Sequence, residues 1–303
     1  MRWTVVALGL MTCSPVAWGQ SAEVVALQIT LDRYWYSPGC VDGRLGPRTR
    51  RALQVWQEAH GLPAHGEVDF ATATALPAAP PLFVEYEVTE ADRQQLGRAP
   101  LDWRERSQVP AMAYETLTEL LAERFHCTER LLRELNPGAT NESALTIWKV
   151  PNTQLPHAVR APSVARLQVS LAQREVRALD AAGRVVALFP CSVAAVEEKR
   201  PVGTMTVTSV IARPNYTFDP ENFPQLDPVQ RAYGKLIIPP GPNNPVGAVW
   251  IGLSRPGLGI HGTPHPETVG RAESLGCFRV TNWNAERLRQ VVTVGMEVEV
   301  TAE

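Results

Sequence analysis

Apolar positions recur along the chain in three successive rhythms. The first is helical. Val25, Leu27, Leu31 and Trp35 fall at roughly helical spacing, and Thr49, Ala52, Leu53, Trp56 and Gln57 share the face of a second helix. The turn-rich stretch Ser37-Pro-Gly-Cys-Val-Asp-Gly-Arg-Leu-Gly-Pro47 separates them. Gly61-Leu62 predicts a left-handed cap on the second helix, and a short third helix is expected from about Asp69 to Leu76. Residues 23–76 therefore read as a small three-helix domain, followed by an extended linker at Pro77-Ala-Ala-Pro-Pro81.

The second rhythm covers residues 82–152. Leu117, Leu120, Leu121, Phe125, Leu131, Leu132 and Leu135 predict two short helices broken near His126-Cys127-Thr128. Asn136-Pro137-Gly138 stops the second, and Leu145 to Val150 reads as a strand, which makes this segment a small α+β unit. From Val164 onward the pattern alternates. Strands are expected over Val164–Leu171, Val185–Phe189, Pro201–Val207, Lys235–Ile238, Ala248–Leu253 and Gly295–Val300, with Ala182-Gly183 as a turn. Asn284 to Val292 is the one helical stretch expected here, capped by Asn282 or Asn284. Residues 160–303 are thus a mostly β domain, a sandwich or barrel, in a multidomain chain. The loop Asn215–Ala232 is either a lid or an ordinary surface loop.

Composition narrows the setting. A 303-residue chain with 45 % hydrophobic residues is long enough for two or three domains, and the 26 prolines favour a loop-rich one. A net charge of -2 gives no reason to expect nucleic acid or an anionic membrane as partner. Residues 1–19 read as a signal peptide: Arg2, an apolar run from Val5 to Met11, then small residues at Ala17 and Gly19. That run is too short to span a bilayer, and Thr12 before Cys13 fits a lipoprotein site poorly. The expectation is an exported protein of the periplasm or cell wall without a transmembrane anchor. Cys40, Cys127, Cys191 and Cys277 then sit in an oxidising compartment, with spacing that suits neither a dense disulfide scaffold nor a metal site. No metal or cofactor is implied. With one cysteine catalytic, at most two of the other three can pair, and the sequence leaves open which.

Reactive residue types concentrate in Ile260 to Val280, which holds a cysteine, two histidines, two carboxylates and two arginines. A cysteine acts as a nucleophile through its thiolate, and a nearby imidazole is the usual means of generating it. His261 and Cys277 are far enough apart to lie on separate strands, where a β scaffold can bring them together. Gly276 permits close approach of a substrate carbonyl, and the amides of Leu275, Gly276 and Cys277 are candidates for an oxyanion site. A buried core thiol beside an idle histidine is the bland alternative. The combination of Ser274-x-Gly276-Cys277 with Arg279 speaks against it.

These motifs resemble known families. Leu27-Gln28, Leu31, Gly39, Asp42-Gly43, Gly46, Thr49, Ala52, Gln57, Gly61-Leu62, Gly66 and Thr72 follow the peptidoglycan-binding repeat of wall hydrolases, although Cys40 lies outside that pattern. Leu131-Leu-x-Glu-Leu-Asn-Pro137 before a strand resembles a divergent LysM, a glycan-binding βααβ fold, without its usual glycine. His261-Gly-Thr, Pro264, then Ser274-x-Gly-Cys-x-Arg279 is similar to the signature of the YkuD-like L,D-transpeptidases. Pro201-Val-Gly-Thr204, Pro239 to Gly247 and Val280 to Leu288 extend the likeness over roughly residues 160 to 301. The resemblance implies Cys277 as nucleophile, His261 as base, the Gly262 carbonyl orienting it, and Ser274 and Arg279 shaping the substrate site. It implies peptidoglycan tetrapeptide stems and glycan as partners, loss of D-alanine, 3–3 cross-links in wall biogenesis and cell shape, and inhibition by carbapenems. Water, or an outer-membrane protein amine, is an alternative acyl acceptor. One departure stands out: the family's usual Ser-His-Gly-Cys is Ser274-Leu275-Gly276-Cys277 here. His265 either compensates or has no role. A non-catalytic wall-binding protein is the competing reading, whereas a papain-like peptidase fails on the order of histidine and cysteine.

Overall fold

The computed structural model describes residues 18–77, 81–139, 146–154, 159–223, 225–270, 274 and 276–303. The expected signal segment, apart from its last two residues, lies outside them. The helical unit holds α1 (Trp18–Arg33), α2 (Pro47–Ala59) and α3 (Phe70–Ala75). Pro47 starts α2 where its missing N–H costs nothing. Gly61, at φ 68°, ends it: its N–H donates to Glu58 O and that of Leu62 to Gln57 O, the pairing of a left-handed glycine cap. Asp69 caps α3 by accepting from Thr72 N at 2.8 Å. Two buried glutamines organise the turns. Gln28 accepts from the amides of Asp42 and Gly43 and donates to Asp42 Oδ1 and Thr49 Oγ1. Gln57 accepts from Gly66 N and donates to Thr72 Oγ1. The motif residues are therefore the hydrogen-bonding frame of the unit.

The middle segment comprises β1 (Phe83–Glu87), α4 (Glu90–Arg93), α5 (Trp103–Gln108), α6 (Leu117–Arg124), α7 (Glu129–Leu135) and β2 (Ile147–Pro151). β1 and β2 pair antiparallel, Phe83 opposite Pro151, and α6 and α7 share a core with them built on Phe125, Leu132 and Trp148. The helix break at residues 126–128 has a local cause. His126 adopts φ 54°, and the Thr128 hydroxyl then caps α7. Asn136 closes α7 and ties it to β2 through both its amide donor and its carbonyl, on Lys149 O and N.

The C-terminal domain contains β3 (Arg166–Ser170), β4 (Glu175–Leu179), β5 (Val185–Pro190), β6 (Gly203–Ala212), β7 (Tyr216–Phe218), α8 (Pro228–Arg231), β8 (Leu236–Ile238), β9 (Val249–Leu253), β10 (Gly259–His261), β11 (Phe278–Arg279), α9 (Asn282–Val291) and β12 (Glu297–Thr301). Eight strands form one mixed sheet in the order β11-β10-β9-β6-β12-β3-β4-β5. Beyond β5, Ser192 bridges Arg279 at the other end of the order, so the sheet curls until its edges meet. Its interior is a single core that includes Leu167, Phe189, Ile251, Phe278 and Val298.

β8, the strand expected over Lys235–Ile238, pairs with β7 in a separate hairpin whose Phe218 and Ile238 pack on Met112 and Trp103 of the middle segment. Two expectations need correction. The Asn215–Ala232 stretch contains a strand and the short α8 rather than a plain loop. The C-terminal helix begins at Asn282 and is capped by Thr281, because Asn282 is withdrawn into a buried network described below. β4, β10 and β11 had no clear sequence signal.

The three parts are joined by buried polar contacts. Asp32 of α1 accepts from both terminal nitrogens of Arg287 on α9 and from Nδ1 of His126. Burial raises the Asp32 carboxyl, but the Arg287 charge and the hydrogen bonds from Arg287 and His126 outweigh it and hold its pKa below the usual range. Trp283 stacks on His126 at 5.1 Å, and Arg51 grips Glu175 with two donors.

Candidate active site

β10 and β11 run parallel, with Ile260 beside Phe278 and His261 beside Arg279. Cys277 immediately precedes β11, and the Gly259 backbone at the start of β10 hydrogen-bonds to its sulfur. The pairing is sealed by Val280 N donating to His261 O at 2.9 Å. Residues eighteen positions apart in sequence are thereby neighbours.

The imidazole of His261 is buried, and its Nδ1–H donates to the Gly262 carbonyl at 2.6 Å. A carbonyl only accepts, so this bond fixes the tautomer and leaves Nε2 as the basic nitrogen. Burial, helped by the charge of Arg279, lowers the His261 pKa to about 4. Gly262 cannot carry a side chain here. A Cβ would stand 2.1 Å from Asn282 Oδ1, which itself accepts from Ala248 N. Asn282 in turn donates to Glu123 Oε2 of α6 and to Pro242 O, so the middle segment supports the histidine loop from behind. Glu123 is half-buried there, and loss of solvation raises its carboxyl to about 7 despite hydrogen bonds from Tyr114 and Asn282.

Cys277 sits partly exposed at the mouth of β11, with its thiol donating to Gly257 O at 3.4 Å. Burial of the sulfur raises its pKa, opposed by a backbone hydrogen bond from Gly259 and by Arg279. Resting thiol and resting imidazole are both neutral. Ser274 shapes the turn: its hydroxyl donates to Cys277 O at 2.5 Å and accepts from Gly276 N at 3.2 Å. Ser274 is itself pinned to the segment that follows β5 by backbone bonds with Val193 and Ala195. The candidate oxyanion amides divide accordingly. Gly276 N–H is already committed to Ser274, Leu275 lies outside the described residues, and Cys277 N–H is the remaining one. A Cβ on Gly276 would meet nothing within 4 Å, so a substrate can approach this turn closely.

Two aromatics near the pair carried no chemical signal in the sequence. The Trp250 indole lies nearly parallel to the His261 ring at 5.6 Å, and the phenol of Tyr216 is near enough to Cys277 to respond to a thiolate there. Burial comes first in raising the Tyr216 pKa, and a Cys277 thiolate second. His265 is elsewhere. It is exposed and, with Pro264, Pro266 and Glu267, walls a cleft of about 580 Å³ between the three parts of the chain.

Comparison with known proteins assigns the class. Residues 165–300 match the YkuD family, described as an L,D-transpeptidase catalytic domain, and residues 20–76 match the "Putative peptidoglycan binding domain" family. The chain thus carries a YkuD L,D-transpeptidase catalytic domain behind an N-terminal peptidoglycan-binding domain. Among curated proteins it is 29 % identical over 189 residues to "Putative L,D-transpeptidase YkuD" of Bacillus licheniformis, covering 62 % of this chain and 94 % of that protein. It is 43 % identical over 65 residues to "Putative L,D-transpeptidase YqjB" of Bacillus subtilis, covering 20 % and 37 %. Among solved structures, the L,D-transpeptidase of Xylanimonas cellulosilytica aligns at 16 % identity with a TM-score of 0.39, covering 92 % of this chain and 93 % of that one. L,D-transpeptidase 3 of Mycobacterium tuberculosis, in complex with a faropenem-derived adduct, aligns at 18 % and 0.34, covering 51 % and 73 %. No helix among the described residues is long and apolar enough to cross a membrane.

Proposed function

We propose that this chain is a peptidoglycan L,D-transpeptidase that works through an acyl-enzyme on Cys277. The observation that supports it most is the pairing of β10 with β11. It brings the chain at Cys277 against the β10 strand that carries His261, and the Gly262 carbonyl holds the imidazole by Nδ1, which leaves Nε2 as the base of this reading. Because both groups rest neutral, the proton moves as the bond forms. Nε2 takes the thiol proton while sulfur attacks the carbonyl of the third residue of a tetrapeptide stem. The Cys277 N–H receives the developing oxyanion. Collapse breaks the amide, the imidazolium returns its proton to the departing amine of D-alanine, and a thioester remains. The amine of a neighbouring stem then attacks the thioester, His261 carries its proton to the sulfur, and a 3–3 cross-link results. Water in that second step gives a carboxypeptidase, and a protein amine gives wall anchoring; the residues act identically in each.

The peptidoglycan-binding domain fits delivery to the wall, and the β1–α6–α7–β2 arrangement fits a LysM-like glycan-binding unit with two added short helices. Export through residues 1–19 to the periplasm or wall completes this reading. Intact mass after incubation with imipenem tests it. One adduct on the wild type, none on Cys277→Ala and a much slower one on His261→Ala are expected. A correctly folded wild type that takes no adduct points instead to a wall-binding protein with a silent site.

A further inference from the structure

Three of the four cysteines described have no part in that chemistry. Cys191 is buried in the core of the curled sheet, beside Phe189 and Val193. Cys40 and Cys127 differ. They come from different parts of the chain, the turn after α1 and the break between α6 and α7, and the fold brings those turns together. Val41 and Cys127 form a parallel bridge, with Val41 N donating to His126 O at 2.8 Å and Thr128 N to Val41 O at 3.1 Å. We propose that Cys40 and Cys127 are joined by a disulfide that fastens the peptidoglycan-binding domain to the middle segment.

The geometry carries this. Cys40 is one residue off register from Cys127 across the bridge. A strand spacing of about 4.8 Å and a rise of about 3.3 Å put their Cα atoms roughly 6 Å apart. Disulfides span Cα separations of about 4.4–6.8 Å. A regular pleat would send such diagonal neighbours to opposite faces. His126, at φ 54° immediately before Cys127, and Gly39, at φ 83° immediately before Cys40, both break that alternation. Both cysteines consequently border the same inter-domain cleft, and a charge on either would be felt by the other. In this structure both carry thiols. Burial, above all, holds the Cys127 thiol well above the ordinary range, so thiolate is scarce once the parts have docked. Closure therefore belongs to folding, before the cleft is complete.

The step balances against a disulfide-bearing oxidant. One thiolate attacks that disulfide and releases a thiol. The second thiolate displaces the resulting mixed disulfide and releases another. Two protons and two electrons leave the protein, and one S–S bond forms in it. The proposal rests on the export reading only for meeting such an oxidant. The bond would close a loop of about 90 residues, the kind of closure that restricts the unfolded chain most.

The test refolds the full chain in a buffer of oxidised and reduced glutathione, blocks thiols with N-ethylmaleimide in denaturant and maps the peptides. Expected are a loss of 2 Da, a cross-linked peptide pair holding Cys40 and Cys127, and three adducts, on Cys13, Cys191 and Cys277. Cys191→Ser keeps the cross-link. The oxidised protein melts about 5–15 °C above the reduced one, and Cys40→Ser loses that difference. Five adducts, or a cross-link to Cys13, Cys191 or Cys277, overturn the proposal whatever Cys40→Ser does. Imipenem acylation of Cys277 in the same sample reports separately on the enzymatic reading.

Discussion

In the helical unit, buried polar side chains answer to the backbone within about twenty residues of themselves: Gln28 to Asp42, Gly43 and Thr49, and Gln57 to Gly66 and Thr72. At the β10–β11 seam they answer to distant chain. Asn282, which holds the histidine loop, leans on Glu123 of the middle segment, and Ser274 hangs from the segment that follows β5. The first kind of network makes a fold that can be carried from protein to protein as a unit. The second makes a site whose geometry depends on three parts of the chain at once. A charge pair joins the two regions, Asp32 from the first and Arg287 from the helix that follows the second.

That junction offers the strongest way to break the comparison. Arg287→Ala leaves the fully buried Asp32 with only His126, and a loss of about 3–5 kcal/mol is expected in denaturant unfolding. If the loss is under about 1 kcal/mol, the two regions are independent. Gly262→Ala comes next. Its methyl group and Asn282 Oδ1 cannot share the space, so the Gly262 carbonyl must move with the imidazole it holds. Imipenem acylation should slow roughly 100-fold, while the helical unit keeps its circular dichroism. Gln57→Leu reverses the pattern. The amide of Gly66 and the Thr72 hydroxyl lose their partner, at a cost of about 2 kcal/mol, yet acylation of Cys277 should change less than about twofold.

The smallest effect is in pH. His261 has its pKa depressed to about 4 in the fold against about 6.5 unfolded. Between these values the unfolded chain binds the extra proton, so this contribution to stability is full above pH 6.5 and is lost as pH falls through 4. The base itself stays neutral down to that point. Acylation rates measured from pH 5 to 7 should therefore vary by less than about twofold and fall tenfold per unit only below about 4. A midpoint near 6.5 would mean that the imidazole is solvated and that the seam does not bury it.

How much of this was legible follows the same division. The cap at Gly61 was read and the helix start at Asp69 was placed, because each is settled by hydrogen bonds within a turn of its own backbone. The break at His126-Cys127-Thr128 and the stop at Asn136 were legible for that reason too. β10 and β11 were not: three and two residues long, they have no room for a pattern and exist only through their neighbours. Asn282 misled as a cap candidate, since its side chain is spent on Ala248, Glu123 and Pro242 rather than on its own helix. Trp250 and Tyr216 carried no signal because aromatic residues are common in any core.

By itself, the sequence determined the reactive residue types, their order and the turn chemistry around them. These rest on covalent spacing and on hydrogen bonds between near neighbours. Tertiary structure alone decided that His261 pairs with Arg279 two residues beyond Cys277, that burial lowers the imidazole pKa and raises that of the thiol, and that the turn holding Cys40 meets the one holding Cys127. Each of those depends on strand register and on exclusion of water, and neither exists until distant parts of the chain have packed.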